Sequence, residues 1–114
     1  MPEQDSELTQ LQAATLRALA SPYRLRIVEI LREGPREVNE ITRLLDAAQA
    51  MVSQHLAVMR AAGLVQATRD GRLVRYRLTD AEIGVACEVM RRTVVRRLSA
   101  PSPIKQRLTQ VIHA

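Results

Sequence analysis

Two short amphipathic segments joined by three residues set the tightest limit on how this 114-residue chain folds. From Glu37 to Leu45, the apolar residues Val38, Ile41, Leu44 and Leu45 recur at helical spacing. Asp46-Ala47-Ala48 then makes a tight connection, and a second helix is predicted over about 49–62. Two short helices so joined form a helix-turn-helix. In the second, Val52, Leu56 and Met59 line an inner face, while Ala50, Ser53, Gln54, Ala57 and Ala61 fall on the opposite side. A surface helix with no ligand tends to carry long charged side chains, whereas small residues with Ser and Gln let a helix approach a groove floor and reach base edges.

The flanking segments fill in the architecture. Leu8, Leu11, Thr15, Ala18 and Leu19 share one side of a helix over 6–19. Ser21-Pro22 reads as an N-cap followed by proline at the first helical position; Leu25, Ile27, Val28 and Leu31 are its buried face, and Gly34-Pro35 ends the helix near 33. After Gly63, two alternating runs surround Asp70-Gly71, the signal of a β-hairpin with a type I′ turn. Over 64–78 that hairpin places Val74, Tyr76 and Leu78 against the core, Arg75 and Arg77 outward, and Arg69 and Arg72 at the tip. Thr79-Asp80-Ala81-Glu82 has the spacing of a capping box and opens a helix over 80–99, with Ile83, Ala86, Cys87, Met90, Val94 and Leu98 as its stripe. Pro101-Ser102-Pro103 breaks the chain before a last helix over 103–112, with Ile104, Leu108, Val111 and Ile112 on one face. The expected fold is mainly α with a small β-hairpin (α+β): one domain in which a helix-turn-helix is followed by a hairpin and flanked by helices at both termini.

Composition narrows the partner. The chain is 46% hydrophobic, too much for a disordered segment, yet a chain this short builds only a modest core, so burial against a second subunit is expected. Its polar, acidic N-terminus and short apolar runs lack the signature of a signal peptide or membrane span, so a soluble cytoplasmic protein is expected. A single cysteine and two distant histidines, His55 and His113, exclude a disulfide scaffold and a zinc finger. The formal charge is +5 and sixteen of the seventeen basic residues are arginine, whose planar fork suits phosphate and guanine; codon bias accounts equally well for the choice of arginine over lysine, but not for where the charge falls. With Tyr23 and Tyr76 the only aromatics, base stacking is poorly served, so duplex DNA is favoured over single strands or RNA.

The run Ser21-Pro22-Tyr23-Arg24-Leu25-Arg26-Ile27, then Val52-Ser53-Gln54-His55-Leu56, Arg60-Ala61-Ala62-Gly63-Leu64-Val65, Arg69-Asp70-Gly71-Arg72 and Tyr76-Arg77-Leu78, resembles the ArsR/SmtB family of bacterial winged helix-turn-helix repressors over about residues 10–98. The resemblance implies a homodimer that binds an imperfect palindrome overlapping a promoter and lets go when an effector binds. It implies a dimer core of Leu8, Leu11, Thr15 and Leu19 with Ile83, Cys87, Met90, Val94 and Leu98. It also implies that helix 49–62 is the recognition helix, with Gln49, Ala50, Met51, Ser53, Gln54 and Arg60 at the DNA. The residue chemistry agrees. Gln49 or Gln54 can pair with adenine, Ser53 can reach a base or a phosphate, and Arg69, Arg72, Arg75 and Arg77 can hold phosphates or enter the minor groove. His55 follows the core stripe and reads as a packing residue. Where many members place Ser or Thr, this chain has Ala48, so capping of the recognition helix is expected to pass to Asp46.

The family's metal positions do not carry over. Glu37 and Asn39 stand where arsenic and cadmium sensors have cysteines, and the zinc positions hold Asp80, Glu82, Thr93 and Arg96, the last a cation among would-be cation ligands. No cofactor is expected, and the effector, if a small molecule, is unidentified. Cys87 reads either as a small core residue or as a redox or sulfur sensor bonded to its mate across the two-fold axis. Arg91, Arg92, Arg96 and Arg97 form a second basic cluster that suits the helix dipole, an anionic metabolite or flanking phosphates. The alternatives to a specific repressor are a sequence-blind DNA binder and a winged-helix module that binds protein. No catalytic triad or Gly-rich phosphate loop supports an enzyme.

Overall fold

A computed structural model describes residues 2–100 and 102–113. In chain order the elements are α1 (Pro2–Leu19), α2 (Pro22–Arg32), β1 (Arg36–Glu37), α3 (Val38–Leu45), α4 (Gln49–Ala61), β2 (Val65–Asp70), β3 (Leu73–Leu78), α5 (Ala81–Leu98) and α6 (Ser102–His113). Helix α1 starts four residues earlier than its apolar spacing indicates. Proline is tolerated in a first turn, and Glu3 and Asp5 there suit the positive end of the helix dipole. Ser21 caps α2 as expected, its Oγ accepting from Arg24 N at 3.3 Å.

Residues 1–84 form one unit. Its core is Ile27, Val28, Ile30 and Leu31 from α2, Ile41 from α3, Val52, Leu56 and Met59 from α4, and Leu64 and Val65 leading into the hairpin, all buried. Two residues assigned to this core by spacing are exposed instead. Leu25 lies about 160° around α2 from Ile27, and Leu44 flanks Ile41 on the side away from Val38 and Leu45. Ile30, within the same arc as Ile27 and Leu31, takes the place that spacing alone gave to Leu25.

The sheet has the order β1-β3-β2, both pairings antiparallel. Strand β1 was not expected. It is two residues long, with Arg36 opposite Tyr76 and Glu37 opposite Arg75, too short to show alternation. Glu37 N also donates to Glu40 Oε1 at 3.2 Å, so the same residue pairs in the sheet and starts α3.

Residues 85–114 form a second unit, comprising the remainder of α5 and the helix α6. Val85, Val89, Met90, Val94, Val95 and Leu98 of α5 and Val111 and Ile112 of α6 are exposed, while Cys87 and Leu108 are half-buried. Pro101 and the side chains of Ser102 and Ile104, used above to place the last helix, lie outside the described residues. No helix among the described residues is long and apolar enough to cross a membrane.

Candidate nucleic-acid interface

The turn between α3 and α4 is built on Asp46. Its backbone is left-handed, φ 51° and ψ 51°, and the bonds Asp46 N to Arg43 O and Ala47 N to Thr42 O, both 3.2 Å, close the end of α3. Asp46 therefore ends the first helix of the pair and does not cap the second, contrary to expectation; aspartate tolerates the left-handed region better than most residues. The N-cap of α4 is Ala48, extended at φ −71° and ψ 136°, with no side-chain bond to the helix. The far end of α4 is well closed: Gly63 at φ 76° carries a Schellman motif, with Leu64 N bonded to Met59 O at 2.9 Å and Gly63 N to Arg60 O at 3.0 Å.

Between these ends, α4 presents two distinct sides. Val52, Leu56 and Met59 face the core. Ala50, Gln54, Ala57 and Ala61 point directly away from it, flanked by Gln49, Ser53 and Arg60, and all of these are exposed. No acidic residue occurs between Gln49 and Ala61. Met51 departs from the expected set. It lies on the other flank, about 100° from Val52, and is half-buried. His55 shares that flank and is half-buried against α2, its ring stacked on Tyr23 with centroids 5.6 Å apart.

The hairpin turn is displaced by one residue from its expected place. Asp70 pairs with Leu73, so Gly71 and Arg72 are the central residues. Gly71 has φ 64° whereas Arg72 is not in the positive region, the pattern of a type II′ turn rather than I′. Val74, Tyr76 and Leu78 are half-buried, and Arg75 and Arg77 are exposed, as alternation requires. Register separates the four arginines. Arg75 and Arg77 share the outer face with Thr68 and Gln66, Arg69 lies opposite Val74 on the other face, and Arg72 occupies the turn. Gln66, absent from the expected set, fixes one of them: its Oε1 accepts from Arg77 Nη2 at 3.1 Å and Nε at 3.3 Å. Among the described residues no acid forms an ion pair with Arg69, Arg72 or Arg75, so the wing offers its charge outward.

The wing is tied to α4 at its base. Thr79 N donates to Leu64 O at 3.0 Å, and Thr79 Oγ1 to Gly63 O at 2.6 Å and Leu64 O at 3.2 Å. Thr79 is thus not the cap of α5, as its spacing implied. Asp80 takes that role, Oδ1 accepting from Glu82 N at 2.9 Å.

A recognition-type helix with an adjoining arginine hairpin is the pattern of winged helix-turn-helix regulators, and sequence comparison decides which family. The sequence signature of the bacterial regulatory protein, arsR family, matches residues 21–67. The crystal structure of Rv0081 from Mycobacterium tuberculosis is 36% identical and superposes with a TM-score of 0.73, covering 81% of this chain and 93% of that one. The chain belongs to the ArsR/SmtB family of winged helix-turn-helix transcriptional regulators. It is 47% identical over 74 residues to the HTH-type transcriptional repressor SmtB of M. tuberculosis, a match covering 65% of this chain; the chain spans only about half of that relative, 55% of its length. The homodimeric winged helix-turn-helix DNA-binding domain of Mb0332 from Mycobacterium bovis is 25% identical with a TM-score of 0.76, covering 83% of this chain and 88% of that domain. ArsR/SmtB proteins are transcriptional regulators, not enzymes.

Four residues that the resemblance sets against metal-ligand positions make other interactions. Asp80 caps α5, Thr93 Oγ1 donates to Val89 O at 2.9 Å, and Arg96 Nη2 donates to Thr93 Oγ1 at 3.3 Å. Glu37 is the N-cap of α3, in a capping box with Glu40.

Proposed function

We propose that this chain is a single winged helix-turn-helix domain acting as a cytoplasmic, homodimeric transcriptional repressor. It binds an imperfect palindrome with α4 in the major groove and the hairpin arginines on the flanking backbone. The observation that carries the reading is the union of the acid-free, small and polar outer side of α4 with a wing whose Arg69, Arg72 and Arg75 are exposed and free of acidic partners among the described residues. Small residues allow close approach, Gln49, Ser53 and Gln54 supply donors and acceptors for base edges, and the arginines supply affinity and register. Arg60 extends the basic surface to the end of α4.

The relatives support the dimer: one is described as homodimeric, and here α1 and α5 each leave apolar residues exposed, among them Leu8, Leu11, Met90, Val94 and Leu98. Thr15, Leu19, Ile83 and Cys87 lie half-buried along the same stripes and complete the proposed contact. The repressor works without the metal sites that the family resemblance suggests, because Glu37 and Asp80 are engaged at helix starts and Arg96 carries positive charge.

The test is equilibrium binding to the duplex upstream of its own gene and to a scrambled duplex, across a salt series. Preference for the native duplex is expected, with a salt slope that shrinks for Arg72→Ala and a specificity that shrinks for Gln54→Ala. Equal weak binding to both duplexes would indicate a sequence-blind binder. Absence of binding at low salt would indicate a protein-interaction module.

A further inference from the structure

Three helices meet at a polar joint that the DNA-binding reading does not use. Arg24, in the first turn of α2, is half-buried and spends its guanidinium on two neighbours. Its Nε donates to Ala18 O at 2.6 Å, satisfying a carbonyl in the last turn of α1, and its Nη1 lies 3.1 Å from His55 Nδ1 on α4. The His55 ring is stacked on Tyr23 with an interplanar angle of 23°. An arginine only donates, so Nδ1 must keep its lone pair and the ring proton must sit on Nε2.

We propose that Arg24 and the neutral imidazole of His55 form a proton-sensitive clasp that positions α4 against α1 and α2, and that protonating His55 releases the clasp and weakens DNA binding. The step is simple in charge. Adding a proton to Nδ1 removes the acceptor and places an imidazolium against a permanent guanidinium. The groups around the ring do not offset this. From α2 it meets Arg24 and the neutral Tyr23; α1 enters through the Ala18 carbonyl, which Arg24 already holds; along α4 its neighbours one turn away are Met51 and Met59. Burial, and then the charge of Arg24, hold the His55 pKa below the ordinary value of 6.5, and among the described residues Arg24 is the charged group that perturbs it. Because folding lowers this pKa, the clasp's contribution to stability is whole above the unfolded value and is lost as the pH falls through the lowered folded one. His55 is a positioning residue here. It follows Gln54 directly in sequence but lies about 100° around α4 from it, half-buried against α2, so it acts on DNA through the seating of the helix.

The functional consequence rests on the DNA-binding reading above; the clasp itself does not. The experiment therefore has two arms on the full chain. In the first, the His55 ring is titrated by NMR. With only two histidines present, His113→Gln leaves a single ring signal, expected to titrate below 6.5. In the second, binding to the upstream duplex is measured at pH 7.5 and 5.5 at fixed ionic strength, for the wild type, His55→Asn and His55→Gln. Asparagine keeps an acceptor near the Nδ1 position and does not titrate. Wild-type affinity is expected to fall on acidification, by at most about tenfold for each unit of pKa difference between the free and bound proteins. His55→Asn is expected to bind as tightly as wild type at pH 7.5 and to show no such fall. The direction is discriminating, because an added positive charge would by itself strengthen attraction to phosphate. Wild-type affinity that rises on acidification, or a pH response shared by wild type and both variants, overturns the clasp, as does a ring titrating at or above 6.5. Failure to bind any duplex at either pH would count against the DNA-binding reading alone; the NMR titration and a pH-dependent loss of thermal stability absent from His55→Asn would then decide whether the clasp exists.

Discussion

The core beneath α4 and the apolar stripe of α1 are written in the same helical spacing, yet they meet opposite fates. Ile27, Ile41, Val52, Leu56 and Met59 are completely buried or within one percent of it, whereas Leu8 is 64% and Leu11 60% exposed. The difference lies in what each stripe faces. The α4 stripe is enclosed by α2, α3 and the start of the hairpin, so a single chain completes it. The α1 stripe is closed within one chain only at its C-terminal end, where Ala18 is buried. Periodicity therefore identifies a face that needs covering without saying whether the cover lies in the same chain.

Deleting a side chain from the completed core gives the largest expected effect. Leu56→Ala removes a fully enclosed group and leaves a cavity, and it is expected to cost about 2–5 kcal/mol in a urea titration. A loss below about 1 kcal/mol would mean that this core is far less tightly packed than Leu56's burial indicates. The two ends of α4 come next, because they seat the same helix by different means. Gly63→Ala places a Cβ where there is open space but where φ is 76°, so backbone strain alone is expected to cost about 1–2 kcal/mol. Ala48→Ser acts at the other end, where the backbone already has the extended geometry of an N-cap and no side chain bonds the helix. It is expected to raise stability by about 1 kcal/mol in the same titration; no gain would mean that the free N–H groups of α4 are already satisfied.

How much of this was legible in the sequence follows from the range of each interaction. The helices, the Ser21 cap, the inner and outer sides of α4 and the alternation of the wing are local patterns, and they appear where spacing puts them. The hairpin turn is instructive. Moving its centre from Asp70-Gly71 to Gly71-Arg72 changes the partner of Gln66 from Arg75 to Arg77, but a shift of two in register leaves every side chain on its face. The faces were therefore legible, and the bond between Gln66 and Arg77 was not. Asp46 and Thr79 were misjudged for a related reason. Each has a side chain that suits a cap, and which residue caps is decided by backbone geometry and by partners such as the Gly63 carbonyl, 16 residues away from Thr79. The joint of Ala18, Arg24 and His55 brings together three helices, its Arg24 and His55 31 residues apart in sequence, and no periodicity marks it. Periodicity did place His55 on the inner side of its helix, but it left out the polar character of what it packs against.

The smallest expected effect on the folding of one chain is also the sharpest probe of the opening contrast. Leu11→Ala makes the same chemical deletion as Leu56→Ala, but at a side chain already 60% exposed within one chain. Alanine is the stronger helix former, so in dilute, monomeric protein the change in unfolding free energy is expected to stay within about 0.5 kcal/mol. Self-association should respond quite differently. If α1 is covered by a second copy, unfolding of the wild type is linked to dissociation and its Tm rises with protein concentration. Leu11→Ala is then expected to flatten that dependence and to shift sedimentation towards the monomer, with Leu8→Ala and Met90→Ala moving in the same direction. A wild-type Tm independent of concentration, with Leu11→Ala still silent, would mean that the α1 stripe is covered by something other than its own copy. The contrast with the core would stand, and the dimer would not.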